Sequence, residues 1–422
     1  MRYVYSALLY LLLPFLLLRL LWRSRRAPAY RRRIAERFGW FTLPGQHRGR
    51  AIWVHAVSLG ETLAAAPLLE SLLQAYPDHR LVVTTTTPTG SAQLRTLFGE
   101  RVQHVYAPWD LPGSVGRFLD RVQPRLLIIM ETELWPNMLH LSRARGCATL
   151  LANGRLSARS ARGYSRVPGL TLQMLRQLDC VACQSREDGE RFLSLGLPPG
   201  ALQVTGNIKF DLELSPDLMR QSQQLRQEYR AENRPIWVAA STHPAEEPLV
   251  LAAFAAIRET VDDCLLILVP RHPERFDEVY GLCTAAGWDT RRRSSGSLPD
   301  AGVDVVLGDT VGELLLLLSL ARVAFMGGSL VPQGGHNVLE AAVWGVPVLS
   351  GPHMFNFGEI SRLLVAAGAM EIVQPPQSLG ERCTRLLRDP EGCRRMGAAG
   401  QQVVADNRGA RERLLQLVAA AF

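Results

Sequence analysis

The sequence predicts an α/β protein of two Rossmann-like domains that face a cleft, each domain a parallel sheet covered by helices. Three observations carry this expectation. Short apolar runs alternate with polar or amphipathic segments of helical length along most of the chain, as in sheets buried on both faces. The alternation pauses once, in a charged, strand-free stretch between Leu212 and Arg234, and then restarts at comparable size. At 422 residues the chain also exceeds one ordinary core.

Composition narrows the class. A hydrophobic share of 47% and a charged share of 20% describe a globular chain, and the net charge of +8, carried by arginine, fits acidic ligands or an anionic surface. Basic residues do not cluster with interleaved aromatics, so nucleic acid is not an expected partner. Seven scattered cysteines, an odd number, argue for a reducing compartment over a disulfide framework. Cys180 and Cys183 have metal-ligand spacing but lie in a strand-like run with no second pair. Side chains three apart on a strand face opposite ways, so no metal site is expected there.

The elements follow in order. Residues 1–33 are read as a membrane anchor with a basic flank. No charge occurs from Tyr3 to Leu18, and Leu20, Leu21 and Trp22 prolong the run, although Pro14 interrupts it. A full span needs roughly 20 apolar residues, so the length is borderline. Arg19, Arg23, Arg25, Arg26, Arg31, Arg32 and Arg33 follow the run and only Arg2 precedes it, which keeps the body cytoplasmic. A cleaved signal peptide would carry its charge first. Crossing the bilayer and lying in its interface both remain open.

The first domain, 34–211, is expected to hold strands at 51–57, 80–86, 102–106, 125–131, 147–152, 179–184 and 202–204. Residues 212–233 are read as a linker. The second domain, 234–405, repeats the pattern at 236–241, 265–269, 303–307, 322–326 and 346–349. A last helix, 406–422, is expected to pack back on the first domain.

In parallel sheets ligands bind beyond the carboxyl ends of the strands, and the chemistry-bearing residues gather there. In the second domain these are Ser241-Thr-His-Pro244, Pro270-Arg271-His-Pro273, Gly308 to Glu313, and Gly334-Gly-His-Asn337-Val338-Leu339-Glu340. Arg271 can pair with a phosphate bidentately, and helix starts near Gly312 and Asn337 can add N–H donors. Glu340 can accept from ribose hydroxyls. The 334–340 stretch also reads as a capped helix in which Asn337 and Glu340 form a capping-box-like pair. Neither a Gly-x-Gly-x-x-Gly nor a Walker lysine loop appears, which favours a sugar nucleotide over a dinucleotide or a triphosphate.

In the first domain Glu61 follows a strand and a glycine. Such a carboxylate can act as a general base if burial lifts its pKa, or can simply complement the helix dipole. Glu131 and Glu133 lie two apart on an extended segment, so one of them is expected to face a ligand. Lys209 is a lone cation for a carboxylate or phosphate. No Asp-x-Asp loop suits a metal–diphosphate bridge, which favours a metal-independent reaction.

Ordered motifs then carry a resemblance. His55-Ala-Val-Ser58-Leu-Gly-Glu61, Thr87-Pro-Thr-Gly90, Glu131-Thr-Glu-Leu-Trp-Pro-Asn137, Gly206-Asn-Ile-Lys-Phe-Asp211, Ser241-Thr-His-Pro244, Pro270-Arg-His-Pro-Glu-Arg-Phe276, Gly308-Asp-Thr310 and the 334–340 stretch resemble the 3-deoxy-D-manno-octulosonic acid (Kdo) transferases of lipopolysaccharide synthesis. The resemblance runs from the anchor to about Phe357. It implies an inverting glycosyltransferase of GT-B fold, anchored to the inner membrane on its cytoplasmic face, that takes Kdo from CMP-Kdo to the lipid A precursor lipid IVA. The resemblance assigns the acceptor to the first domain and the CMP-sugar donor, a co-substrate, to the second, and it implies no cofactor or metal. By motif match Glu61 is the general base, while Glu131 and Lys209 stabilise the transition state. The CMP contacts fall on Pro270, Arg271, Val311, Gly312, Glu313, Asn337, Val338, Leu339 and Glu340. Two positions depart from the family pattern: Val338 stands where proline is usual, and Gly154 where alanine is usual. Rival readings are a GT-B transferase using a UDP-sugar on a lipid-linked acceptor, and a non-catalytic membrane-anchored binding protein.

Overall fold

The computed structural model describes residues 1–43, 51–300, 302–374 and 377–422, with Arg26 and Gln377 described by backbone alone. Residues 44–50, within the expected first domain, lie outside the described residues. The chain divides into two compact units, Met1–Asp211 with Arg408–Phe422, and Leu212–Asn407.

The first unit holds β1 (Ala51–His55), β2 (Arg80–Thr85), β3 (Gln103–Tyr106), β4 (Pro124–Met130), β5 (Ala148–Gly154), β6 (Cys180–Cys183) and β7 (Leu202–Val204). They form a parallel sheet in the order β3-β2-β1-β4-β5-β6-β7, with Val54 level with Val83 on one side and Ile128 on the other. The order reverses between β1 and β4, so the loops after these two strands flank the switch point where α/β sheets bind ligands.

Both faces of β1 are buried because its side chains alternate between two cores. Trp53 packs with Phe118, Leu127, Leu151 and Phe192. Ile52 and Val54 pack with Leu68, Leu72 and Ile128 on the other face. That second core also takes Leu414 and Val418 from the helix Ala410–Ala420. Asp211 fixes the start of this helix by accepting from the N–H groups of Gly409 and Arg411, at 2.5 and 2.6 Å.

The second unit holds β8 (Ile236–Thr242), β9 (Leu265–Pro270), β10 (Thr290–Arg292), β11 (Val305–Leu307), β12 (Val323–Met326), β13 (Val348–Ser350) and β14 (Met370–Ile372). The sheet is parallel, in the order β10-β11-β9-β8-β12-β13-β14, and reverses between β8 and β12. Trp237, Phe254, Leu266, Leu268 and Phe325 form its core. The two edge strands, β10 and β14, are absent from the sequence reading. Each is three residues long and lacks an apolar run. The stretch read as a linker contains the helix Pro216–Glu228, and Arg226 donates from Nη1 to the Ser319 carbonyl at 2.7 Å.

The amino-terminal apolar run is one helix, Arg2–Arg26, with Pro14 inside it. It is long and apolar enough to cross a membrane. The seven cysteines are free, and Cys180 alone among them is not fully buried.

Candidate active site

In the first unit, β1 ends at His55 and a three-residue turn leads into the helix Leu59–Ala75. Ser58 caps this helix, its Oγ accepting from the Glu61 N–H at 3.2 Å. The cap places Glu61 in the first turn of the helix. Ser58 Oγ donates to Glu61 Oε1 at 2.8 Å and the Val57 N–H donates to Oε2 at 2.9 Å. A reciprocal capping arrangement therefore sits at Ser58 and Glu61. Glu61 is nonetheless 9% exposed, and burial pushes its carboxyl up to about 7 against the pull of these two hydrogen bonds, with Glu131 and Glu133 adding to the rise. Capping holds the carboxylate in one orientation, and burial brings its titration close to neutral pH, the range a general base needs.

Glu131 follows β4 and occupies the left-handed region at φ 55°. A non-glycine residue held there costs of order 1–3 kcal/mol, so the surroundings impose it. Glu131 Oε1 lies 3.8 Å from Lys209 Nζ and Oε2 lies 3.9 Å from Arg155 Nη2. Glu133 accepts from Trp135 Nε1 at 3.0 Å. Burial lowers the Lys209 pKa, with Arg155 adding to the fall, while Glu131 and Glu61 oppose it. Glu131 and Glu133 thus bear on Glu61, and Glu131 and Glu61 on Lys209, which makes these residues one electrostatic cluster.

A buried amide chain positions Lys209. Asn153, also left-handed at φ 55°, accepts from the Ile208 N–H at Oδ1, 3.1 Å, and its carbonyl accepts from Gln184 Nε2 at 3.0 Å. Gln184 Oε1 accepts from Asn207 Nδ2 at 3.0 Å, and Asn207 Oδ1 accepts from the Lys209 N–H at 3.1 Å. His55 is fully buried, with Nδ1 2.9 Å from Thr84 Oγ1 and its ring edge-on to Trp135. Burial drops its pKa to about 3, which keeps the ring neutral.

In the second unit the loops after β8, β9 and β12 meet. Arg271 is half-buried, and its N–H donates to the Thr242 carbonyl at 3.0 Å. His243 Nε2 lies 2.9 Å from His336 Nε2 with the rings stacked, and His272 stands edge-on to His243. Burial and the Arg271 charge push His336 down to about 3. Burial raises the Glu340 carboxyl, opposed by Asn337 and by Arg271. Arg271, the histidines and Glu340 are therefore one cluster.

The glycine pairs serve the protein's own packing. Glu246, with no exposed surface, accepts from four N–H groups: His243 and Gly328 at Oε2, 3.0 and 2.7 Å, and Ser329 and Leu330 at Oε1, 3.0 and 2.9 Å. The backbone after β12 thus cradles a protein carboxylate. Gly335 sits at φ +74° with Met354 Sδ only 2.2 Å from where a Cβ would stand. Asn337 Nδ2 donates to Glu340 Oε1 at 3.2 Å and its Oδ1 accepts from the Leu339 N–H at 3.3 Å, so the cap-like pair exists. The helix it opens, Leu339–Ala342, and the helix Leu314–Leu318 after Glu313 are a turn or so long, which limits their dipoles. Val338 and Leu339 have no exposed surface, so both serve the packing beneath Asn337 and Glu340. Pro270 ends β9 as a buried residue.

Residues 311–313 form a second group. Val311 is 79% exposed, and Gly312 adopts φ +91° with open space around it. Glu313 is held by Arg293, at 3.2 Å through both Nε and Nη2, and by Thr310 Oγ1 at 2.5 Å. Burial pushes its carboxyl up, but these partners outweigh burial and hold it below the usual range. Its carboxylate is thereby committed within the protein. Among the described residues no group of three or more His, Cys, Asp or Glu side chains is placed to share a metal ion.

Comparison with known proteins places this geometry. The family model for 3-deoxy-D-manno-octulosonic-acid transferase (kdotransferase) matches residues 32–212. A 3-deoxy-D-manno-octulosonic acid transferase from Haemophilus influenzae is 42% identical over 418 residues, 99% of this chain and 98% of that one. One from Bordetella pertussis is 38% identical over 86% of each chain. Among solved structures, the UDP-GlcNAc 2-epimerase from Neisseria meningitidis superposes with a TM-score of 0.59 at 14% identity, covering 88% of this chain and all of the other, which shows the shared fold. Two parallel-sheet α/β units of this kind are the GT-B architecture. The chain belongs to the 3-deoxy-D-manno-octulosonic acid transferase family.

Proposed function

We propose that this protein is an inverting glycosyltransferase that moves Kdo from CMP-Kdo to a sugar hydroxyl of lipid IVA, with Glu61 as general base and without a metal ion. The observation that carries the reading is Glu61 itself. It is a buried carboxylate at a sheet switch point, oriented by the Val57 N–H and the Ser58 hydroxyl and raised by burial to about 7. The kinship with Kdo transferases supports the donor sugar, and Arg271 supplies a cation for the single phosphate of CMP.

In the reaction the acceptor oxygen attacks the anomeric carbon of Kdo opposite the leaving group. The new carbon–oxygen bond forms as the bond from that carbon to the phosphate oxygen breaks, and CMP departs with the electron pair. The hydroxyl proton passes to Glu61. Glu131 and Lys209, held 3.8 Å apart, offer a carboxylate and a cation to the charge that develops in the transition state. The leaving monophosphate carries its charge to Arg271, so the reading assigns no step to a metal. For CMP, Glu340 and Asn337 offer ribose partners, while Pro270, Val311, Gly312, Glu313, Val338 and Leu339 contribute backbone and packing. A lipid acceptor explains the apolar helix and the arginines beside it, on the cytoplasmic face of the inner membrane.

The test is turnover of CMP-Kdo and lipid IVA by wild-type and Glu61→Gln protein, with UDP-sugars as competing donors. Transfer from CMP-Kdo alone, lost in the variant while donor binding persists, is expected. Transfer from a UDP-sugar, or a variant within a few-fold of wild type, overturns the reading.

A further inference from the structure

We infer that the apolar helix Arg2–Arg26 lies in the plane of one membrane leaflet, with both ends on the same side, and does not cross the bilayer. The inference rests on the membrane attachment proposed above and deepens it. Three observations carry it.

The amino end of the helix is bonded to the first unit. Arg2 Nη1 and Ser6 Oγ each donate to Asn137 Oδ1 at 3.1 Å, and the Tyr5 hydroxyl donates to the Asp110 carboxylate. Asp110 in turn accepts from the N–H groups of Asn137 and Met138.

The chain beyond the helix returns to the same place. The Arg37 carbonyl accepts from the N–H of Trp109, the residue before Asp110, at 2.8 Å. The Phe38 ring stands edge-on to Trp109 at 5.0 Å, and Arg33 donates to the His104 carbonyl at 2.7 Å. Residues on either side of the apolar run therefore hold neighbouring points of one folded unit.

The helix is also shielded along one side for its whole length. Arg2, Tyr5, Leu9, Leu13, Leu16, Leu17 and Leu20 are half-buried, and Ser6 and Ser24 are buried. At about 100° per residue all nine fall within roughly 120° of one another, a single stripe. Leu8, Leu11, Leu12, Phe15, Leu18, Leu21 and Trp22 are exposed on the remaining face. A crossing helix meets lipid on every side at mid-membrane, whereas this one carries a partly covered stripe from its first turn to its last.

The occupant of the exposed face is the headgroup–acyl boundary of an anionic bilayer. The apolar face ends in exposed Arg19, Arg23 and Arg25, and exposed Arg31 and Arg32 follow. Trp40 is 54% exposed with the guanidinium groups of Arg117 and Arg121 stacked on it at 5.1 and 4.9 Å. Aromatic rings among arginines suit the interface and its negative lipids.

The test uses the full chain in native membranes, in a Cys180→Ser background whose other cysteines are buried. In the Ser6→Cys/Asn137→Cys variant, copper–phenanthroline oxidation is expected to close a disulfide, seen as a reduction-sensitive gel shift. Its absence from the membrane-bound protein overturns the inference. Because Asn137→Cys can disturb folding, Tyr3→Cys is labelled separately with a membrane-impermeant maleimide, with Leu97→Cys as the marker for the body. Labelling of Tyr3→Cys from the same side as Leu97→Cys supports the in-plane helix, and labelling from the opposite side alone overturns it while leaving attachment intact. Recovery of the wild-type chain in the soluble fraction overturns attachment and the inference together. On vesicles of phosphatidylglycerol and phosphatidylethanolamine, wild-type binding is expected to exceed that on phosphatidylcholine by at least tenfold at low salt. Equal binding removes the anionic lipid as the partner.

Discussion

Glu61→Gln should make the enzyme inactive and, above neutral pH, more stable. The folded-state carboxyl titrates near 7, against a usual value of 4.5. The folded protein therefore binds this proton more tightly than the unfolded chain, and ionising Glu61 costs folding free energy. That cost is absent below about pH 4.5, grows through the window to 7, and is complete above it. A shift of roughly 2.5 units at about 1.36 kcal/mol each amounts to ~3 kcal/mol. Glutamine carries no charge and escapes the cost, so urea unfolding at pH 8.5 should show the variant about 2–3 kcal/mol more stable, with no gain at pH 4.5. Loss of the base should lower kcat by about 10²–10⁴-fold. In the wild type, kcat/KM should fall tenfold per unit below an apparent pKa near 7. A kcat within a few-fold of wild type, or equal stability of the two proteins at both pH values, refutes the reasoning.

Other outcomes follow from the second unit. Arg271→Ala should raise KM for CMP-Kdo roughly 10–100-fold, the equivalent of one charged contact, with a smaller change in kcat. An unchanged KM counts against a phosphate contact. Glu246→Ala strands four backbone N–H groups and should cost about 3–5 kcal/mol in urea unfolding, and a loss under 1 kcal/mol would show that the loop finds other partners. Gly335→Ala forces a Cβ to φ +74° beside Met354 and should cost about 1–3 kcal/mol, whereas Gly312→Ala meets no neighbour and pays only the backbone strain. A larger loss for Gly312→Ala would contradict the packing argument.

The sheets were legible because parallel strands buried on both faces must be continuously apolar. Residues 51–57, 80–86 and 265–269 show this, and the structure trims or extends each by a residue or two. Thr290–Arg292 and Met370–Ile372 escaped notice because an edge strand needs only one hydrogen-bonded neighbour and little apolar surface. At the site, residue type and position beyond a strand pointed to Glu61, Arg271 and Glu340. Glu246 was invisible, since its partners Gly328, Ser329 and Leu330 lie more than 80 residues away in sequence. Nor does composition reveal that Glu313 is spent on Arg293 and Thr310. The left-handed backbones of Glu131, Asn153 and Ser241 carry no sequence signature of the kind glycine provides. One loose signal existed: Ser58-Leu-Gly-Glu61 has capping-box spacing, so the cap assigned to Asn337 and Glu340 had an equal claim at Glu61.

The most direct test of the account is mass spectrometry of lipid IVA after incubation with CMP-Kdo and either wild-type or Glu61→Gln protein. The wild type should yield acceptor carrying added Kdo with an equivalent of CMP released, and a folded variant that still binds the donor should leave the acceptor unmodified. Unmodified acceptor from the wild type, or added Kdo at comparable rates from both, would contradict the account.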